Sequence, residues 1–408
     1  MSIVNVLLIH PKFPDTFWSF SYALRFIGKK VAFPPLGLIT VAALLPATWS
    51  LRLVDVNVDD LTDDDLAWAD MAFLSAMAVQ RKSTAAIIAR CHGRGLTIVA
   101  GGPLFTAQPD VFGQVDHLVL DEAEMTLPVF VADLENGCPQ KIYRANGYPD
   151  VHQTPIPLWH LIHMNRYASL NIQYSRGCPF DCDFCNITSL FGSRPRTKTP
   201  RQVLAECRKV HNKNRDMLLD VKKIHRSGLQ VMGGFIVGFD SDTPSIFQRQ
   251  IDFIQQSGIV TAMVGMLQAP PGTRLFDRLV GERRVCTDFS GDNVDGRTSI
   301  IPAMGLDHLI DGYRAIMRQS YSPRKYYQRI RSILKDLKAP AATVPIDWQR
   351  FLAFFRACLR LGVLGKARFQ YWYLLIWTLA RRPRLLPLAV TFTICGYHYR
   401  RICELHIL

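Results

Sequence analysis

Five short apolar runs, VNVLLIH, LRLVDVN, MAFLSAM, LTIVAGG and DHLVLDE, recur between residues 3 and 135 and alternate with the helical stretches LGLITVAALLP, STAAIIARCHGRG and EMTLPVFVADLENG. Runs that are apolar throughout and rich in Val, Ile and Leu are the strands of a parallel sheet covered by helices on both faces. The alternation predicts a doubly wound α/β domain, whose ligands sit beyond the carboxyl ends of the strands. Those ends carry His10-Pro11, Asn57, Ser75-Ala76-Met77, Gly101-Gly102-Pro103 and Glu122. The paired glycines have two readings: a tight strand-to-helix turn, or a bare backbone that a large ligand can approach closely. No G-x-G-x-x-G follows the first run, so a dinucleotide fingerprint is absent there.

At 408 residues the chain has room for two or three domains. The boundaries expected are 1–140 for the doubly wound domain, 141–165 for a linker around NGYPDVHQTPIPLWHL, 166–286 for a second α/β segment, and 287–408 for a mostly helical, basic segment. The opening MSIVNVLLIHPKFPD has no basic n-region and reads as a first strand rather than a signal peptide. Ten cysteines in such a chain favour metal or redox use over a disulfide framework. Seven of them, Cys91, Cys138, Cys207, Cys286, Cys358, Cys395 and Cys403, are scattered and read as buried or inert thiols.

The other three fall within eight positions, in YSRGCPFDCDFC, as Cys178-x3-Cys182-x2-Cys185. Three thiolates so close can grip one soft metal centre. Zinc would want a fourth ligand, and no second C-x2-C pair follows. An iron–sulfur cluster accepts Cys thiolates on a loop of this kind. Zinc and unliganded loop thiols are the alternatives.

This motif, with the aromatic Phe184 just before the last Cys, resembles the signature of the radical S-adenosylmethionine (SAM) superfamily. The resemblance implies a [4Fe-4S] cluster on Cys178, Cys182 and Cys185, with one iron left to chelate SAM and an external electron donor to reduce it. It places Phe184 beside the adenine, and GGFIVGF, with Gly233, Gly234 and Gly238, along the SAM pocket. An N-terminal doubly wound domain with a VAGGP turn is similar to the cobalamin-binding class of that superfamily. The implied cobalamin contacts are Ser75, Gly101, Gly102, Pro103 and Glu122, and the implied reaction is methyl transfer to an unactivated carbon of a small, lipid-like or otherwise apolar molecule. The base-off signature Asp-x-His-x-x-Gly is missing, since Asp150-Val-His152 is followed by Pro155. Asp121 stands where that class has Gly before the Glu.

A radical SAM barrel of the family's kind has about six βα units, each roughly 30 residues. Only residues 186–233 separate the third cysteine from the glycine-ended strand, and they read as a loop and two helices, PRQVLAECRKVHN and RDMLLDVKKIHRSG. The expected fold is therefore a flavodoxin-like domain, a partial (βα) barrel and a helical tail. The alternative function is a catalytically impaired, cluster-binding remnant that lacks the middle of the barrel.

The net charge is +14, of which residues 324–408 carry +13, from sixteen Lys/Arg against Asp336, Asp347 and Glu404. RFQYWYLLIWTLA and LLPLAVTFTICGY, divided by RRPR, are each too short to span a bilayer. They read as helices lying on a membrane surface, or as a subdomain showing its arginines to solvent. No nucleic-acid module accompanies the charge. The expected location is the cytoplasm, with the inner membrane face as a seat if the tail docks there.

Overall fold

The computed structural model describes residues 4–171, 173–180, 182–199, 221–222, 225–226, 230–287, 289–292, 295–338 and 348–407. Two compact units emerge: Met1–Pro14, Lys30–Arg208 and Ala269–Asp292 form the first, and Asp15–Lys29, Lys209–Gln268 and Asn293–Leu408 the second.

The first unit is built on a six-stranded parallel sheet: β1 (Asn5–His10), β2 (Ser50–Asp55), β3 (Met71–Ser75), β4 (Thr97–Gly101), β5 (His117–Val119) and β6 (Ile142–Tyr143), in the order β2-β1-β3-β4-β5-β6. Five of these strands are the apolar runs, and the doubly wound expectation is met. The reason is burial on both faces. In β1, Val6 and Leu8 pack toward Leu38, Phe73 and Phe130, whereas Leu7 and Ile9 pack toward Ala72, Ile88 and Ile98. Helices Leu36–Ala42, Arg81–His92 and Ala123–Glu135 coincide with the predicted stretches. A further helix, Asp63–Trp68, starts from a capping box in which Thr62 Oγ1 accepts the Asp65 N–H (3.1 Å) and Asp65 accepts the Thr62 N–H (3.1 Å). Strand order reverses between β1 and β3, which makes the carboxyl edge around His10 and Ser75 the switch point of the sheet.

The Pro-rich stretch folds as short turns, Val151–Gln153, Trp159–Leu161 and Met164–Arg166, laid on this unit. Ile162 and Tyr167 are buried against Ile39 and Val58, and the Tyr167 hydroxyl donates to Asp55 (3.0 Å).

The stretch YASLNIQYSRGC reads as a strand leading into the cysteines, but it holds only β7 (Ser175–Arg176), which pairs antiparallel with β8 (Arg196–Thr197). Upstream, Tyr167 makes an isolated parallel bridge with Val31, and the Ala168 and Ser169 N–H groups donate to the Val31 and Ala32 carbonyls (2.9 and 3.1 Å), but the pairing goes no further among the described residues. The two helices expected over 200–228 fall almost wholly outside the described residues.

In the second unit, β9 (Met232–Val237), which carries the glycine-rich GGFIV stretch, and β10 (Thr261–Met266) pair in parallel, with the helix Ser245–Ser257 between them. Helices Leu306–Ser320, Pro323–Asp336, Trp348–Ala357 (continued by a π-turn over Cys358–Val363), Arg368–Arg381 and Leu386–His406 complete it, together with Ser21–Ile27. One core runs through Val237, Ile254, Val260, Tyr313, Tyr326 and Tyr399. Among the described residues no helix is long and apolar enough to cross a membrane.

Candidate cluster loop and cofactor cleft

The cysteine loop grows out of the β7–β8 pair. Gly177, just before Cys178, has φ +82°, and a Cβ there would lie 2.4 Å from the Arg194 carbonyl oxygen. Only Gly fits this close crossing of the loop's two ends. The Cys178 N–H donates to the Gly192 carbonyl (3.1 Å), and the Cys185 N–H donates to that of Cys182 (3.1 Å). At its far end the loop docks on helix Arg274–Gly281. The Leu275 N–H donates to the Asp183 carbonyl (3.0 Å), and Arg274 pairs with the Asp183 carboxylate (2.7 Å).

The three thiols are accessible: Cys182 is exposed, Cys178 and Cys185 are half-buried, and none is in a disulfide. Phe184 is half-buried beside them. The scattered cysteines are not all buried as expected: Cys138 and Cys286 are exposed and Cys358 is half-buried, whereas Cys91 and Cys403 are buried. Burial pushes the Cys91 thiol up to about 11 and the Cys395 and Cys403 thiols up to about 12, so these remain protonated and poor ligands. Among the described residues no three His, Cys, Asp or Glu side chains converge to metal-holding distance. The loop thus has the donor set an iron–sulfur cluster requires, three accessible thiols on one short segment, without their convergence.

A charged network seats this loop on the sheet. Glu122, at the carboxyl end of β5, has a side chain only 2% exposed. Its carboxylate takes Arg176 Nη1 at 2.5 Å and Arg196 Nη1 at 3.1 Å, with Arg196 Nη2 on its other oxygen. Arg176 also forks onto Glu124 at 2.8 and 3.0 Å. Burial acts to raise the Glu124 pKa, but the hydrogen bonds and charge of Arg176 outweigh it and hold the carboxyl below its ordinary range. Burial likewise acts to lower the Arg176 pKa, and the two carboxylates turn the net shift upward. Arg196 further donates to the Pro149 and Phe191 carbonyls (2.9 and 3.0 Å) and lies 4.8 Å over the Tyr148 ring. Both strands that frame the cysteine loop are therefore clamped to one carboxylate.

Above the carboxyl edge of β3, β4 and β5 opens a cleft of about 980 Å³, large enough for a sizeable cofactor. All five residues singled out there from sequence, Ser75, Gly101, Gly102, Pro103 and Glu122, line it. No His lines it among the described residues. The glycines favour the tight-turn reading. A Cβ on Gly101 would lie 2.5 Å from the Val119 carbonyl oxygen of the adjacent strand, and one on Gly102, at φ +87°, 2.7 Å from Ser75 Oγ. Both positions are fixed by the protein's own backbone and side chains. Asp121 explains the missing glycine: it has φ +63°, a left-handed conformation that Asp tolerates, and its carboxylate accepts the Ala145 N–H (3.0 Å). Asp150 and His152 pair with each other (2.7 Å) on an exposed turn.

Gly233, Gly234 and Gly238 belong to the second unit. Gly234 faces open space, whereas Gly238, at φ +105°, turns the chain at the end of β9, where its N–H and that of Phe239 donate to Asp242 (2.9 and 3.0 Å). The network around Glu122 was not legible beforehand, because its arginines lie 54 and 74 residues away in sequence.

Residues 273–407 match a domain of unknown function, DUF4070. Over almost its whole length the chain is similar to an uncharacterized methyltransferase (sll1242) of Synechocystis sp., with 31% identity over 496 aligned positions that cover 98% of this chain and 92% of that protein. It is 27% identical to the hopanoid C-2 methylase of Rhodopseudomonas palustris, over 80% of this chain and 78% of that one. It is 23% identical to an uncharacterized methyltransferase (PH0819) of Pyrococcus horikoshii, over 83% and 95%. The Synechocystis alignment spans 496 positions against a chain of 408 residues, so at least 88 positions have no counterpart here. By this similarity the chain belongs to the radical SAM-type methyltransferase family that includes the Synechocystis protein.

Proposed function

We propose that Cys178, Cys182 and Cys185 hold a [4Fe-4S] cluster that binds SAM, that the cleft over Ser75 and Gly102 receives a corrinoid, and that the family reaction is methyl transfer to an unactivated carbon of an apolar small molecule. The observation that carries this reading is the retained cysteine triplet within a chain similar along 98% of its length to a named methyltransferase. The name of the hopanoid methylase supports a lipid-like substrate. When bound, the cluster supplies the electron that breaks a C–S bond of SAM, and the corrinoid a methyl group. The chain's own contribution is positional. Gly177 closes the loop, Asp183 and Arg274 fix its far end, and Glu122 with Arg176 and Arg196 holds its base at the rim of the cleft.

The missing 88 or more aligned positions favour a second reading, a cluster-binding relative that no longer turns over. Displacing reacting groups by about 1 Å can cost on the order of 100-fold in rate. The shortfall equals the length of nearly three βα units, at roughly 30 residues each. The test is 5'-deoxyadenosine formation from SAM by the anaerobically reconstituted, chemically reduced protein. Little or none, with the cluster intact, is the expected outcome. Robust multiple turnover would show that the shortened chain still cleaves SAM and would overturn the second reading.

A further inference from the structure

The two helices that precede the C-terminal one have their amphipathic pattern reversed: the exposed stripe is apolar. On the first, Trp348, Phe351, Phe355, Leu359 and Val363 recur every three or four residues and are all exposed, while Ala353, Ala357 and Leu361 between them are buried. On the second, Phe369, Trp372, Tyr373, Ile376 and Leu379 are exposed, while Tyr371, Leu374, Leu375 and Thr378 face the core. Phe369 is 74% and Ile376 65% exposed. The helices form a hairpin, since Trp372 Nε1 donates to the Gly362 carbonyl (2.9 Å) and Tyr371 meets Cys358 across the seam (3.5 Å). Leu364, in the turn, is 75% exposed. Two exposed apolar stripes on one hairpin mark a place where something other than water belongs.

The charge pattern says what. Residues 348–403 contain ten Lys/Arg and no Asp or Glu. Lys366 and Arg368 stand exposed at the turn of the hairpin, and Arg381 and Arg384 at its other end. Arg368 stacks over Phe369 (5.2 Å) and Arg331 over Tyr373 (4.7 Å), so cations lie directly against the apolar stripe. Aromatic and aliphatic side chains rimmed by cations without acids match the boundary between acyl chains and anionic headgroups. A second copy of this chain fits poorly, because a symmetric contact through the patch would face cation against cation with no acid to pair them. The second helix has 14 residues, or about 21 Å of rise, short of the ~30 Å hydrocarbon core, so it would lie in the interface rather than cross.

We propose that the helical hairpin of residues 348–381 is a docking surface for an anionic lipid bilayer. It seats the chain at the membrane face, where a lipid-like molecule is dissolved, and it does not depend on the cluster or on turnover. The experiment is flotation of the full chain with phosphatidylcholine vesicles containing about one part in three phosphatidylglycerol, against pure phosphatidylcholine. The expected result is binding to the anionic vesicles that weakens as salt is raised, and that falls at least tenfold in the Phe369→Ser, Ile376→Ser double variant. Because both side chains are exposed, the variant should keep the thermal transition of the parent. Quenching of tryptophan fluorescence by brominated lipid, present in the unmodified chain and reduced in the Trp348→Phe, Trp372→Phe double variant, gives a second readout. No binding, equal binding to neutral vesicles, undiminished binding by a folded double variant, or a concentration-dependent dimer that the double variant dissolves would each overturn the proposal.

Discussion

Glu122 ties the cysteine loop to the sheet, because two guanidinium groups from different strands of the loop converge on it in a nearly water-free place. Removing one member of a buried ion pair leaves the others uncompensated, at a cost of 3–5 kcal/mol. Glu124 still serves Arg176, so Glu122→Ala should destabilise the protein by about 3 kcal/mol in urea unfolding, chiefly through Arg196. An unchanged midpoint would mean that the network contributes nothing net. His398 makes a complementary case in the second unit. Its Nε2 lies 3.1 and 3.2 Å from the Phe17 and Thr16 carbonyls, and its Nδ1 accepts the Tyr22 N–H (3.4 Å), an arrangement that suits the neutral ring. Burial lowers its pKa from 6.5 to about 4. The unfolded chain takes up a proton as pH falls through 6.5 and the folded one does not, so stability from this group is full above pH 6.5 and lost progressively down to about 4. The loss should reach up to about 3 kcal/mol, and His398→Gln should flatten that part of the pH–stability curve.

At the scale of elements, the contacts around Gly101 decide between the two readings of the VAGG turn. Its Cβ would strike the Val119 carbonyl across the β4–β5 register, where Gly101 and Val119 are direct partners. Gly101→Ala should therefore cost about 2 kcal/mol in a denaturant titration with no ligand present. A variant as stable as the parent would restore the view that the glycine serves a ligand. The strands of the sheet are legible in the sequence because burial on both faces leaves a nearly continuous apolar run, as in β1 (VLLI) and β3 (MAFL), with Arg52 interrupting β2. β6, only Ile142–Tyr143, carries too little pattern to be seen. β7 was overread, because pairing with Arg196–Thr197 limits it to two residues. Asp121 was recognised as a departure, but its left-handed backbone became visible only in the structure. The cysteine loop was legible through spacing alone. Its anchors, Glu122 and Arg274, were not, since ion pairs between distant residues leave no local periodicity.

For the whole molecule, two compact units carry different parts of one reading: the sheet, the cleft and the cysteine loop in the first, the glycine-ended strand and the basic hairpin in the second. Similarity to methyltransferases runs across both, while at least 88 aligned positions are missing. Family chemistry and the activity of this chain are therefore separate questions, and the cluster comes first. The measurement is iron and sulfide content together with electron paramagnetic resonance of the anaerobically reconstituted, reduced protein, before and after SAM is added. The account predicts a [4Fe-4S] signal that SAM perturbs, that Cys178→Ala, Cys182→Ala and Cys185→Ala each abolish, and that Cys91→Ala leaves intact. Stoichiometric zinc without iron or sulfide, or a cluster that survives loss of any one of the three cysteines, would contradict it.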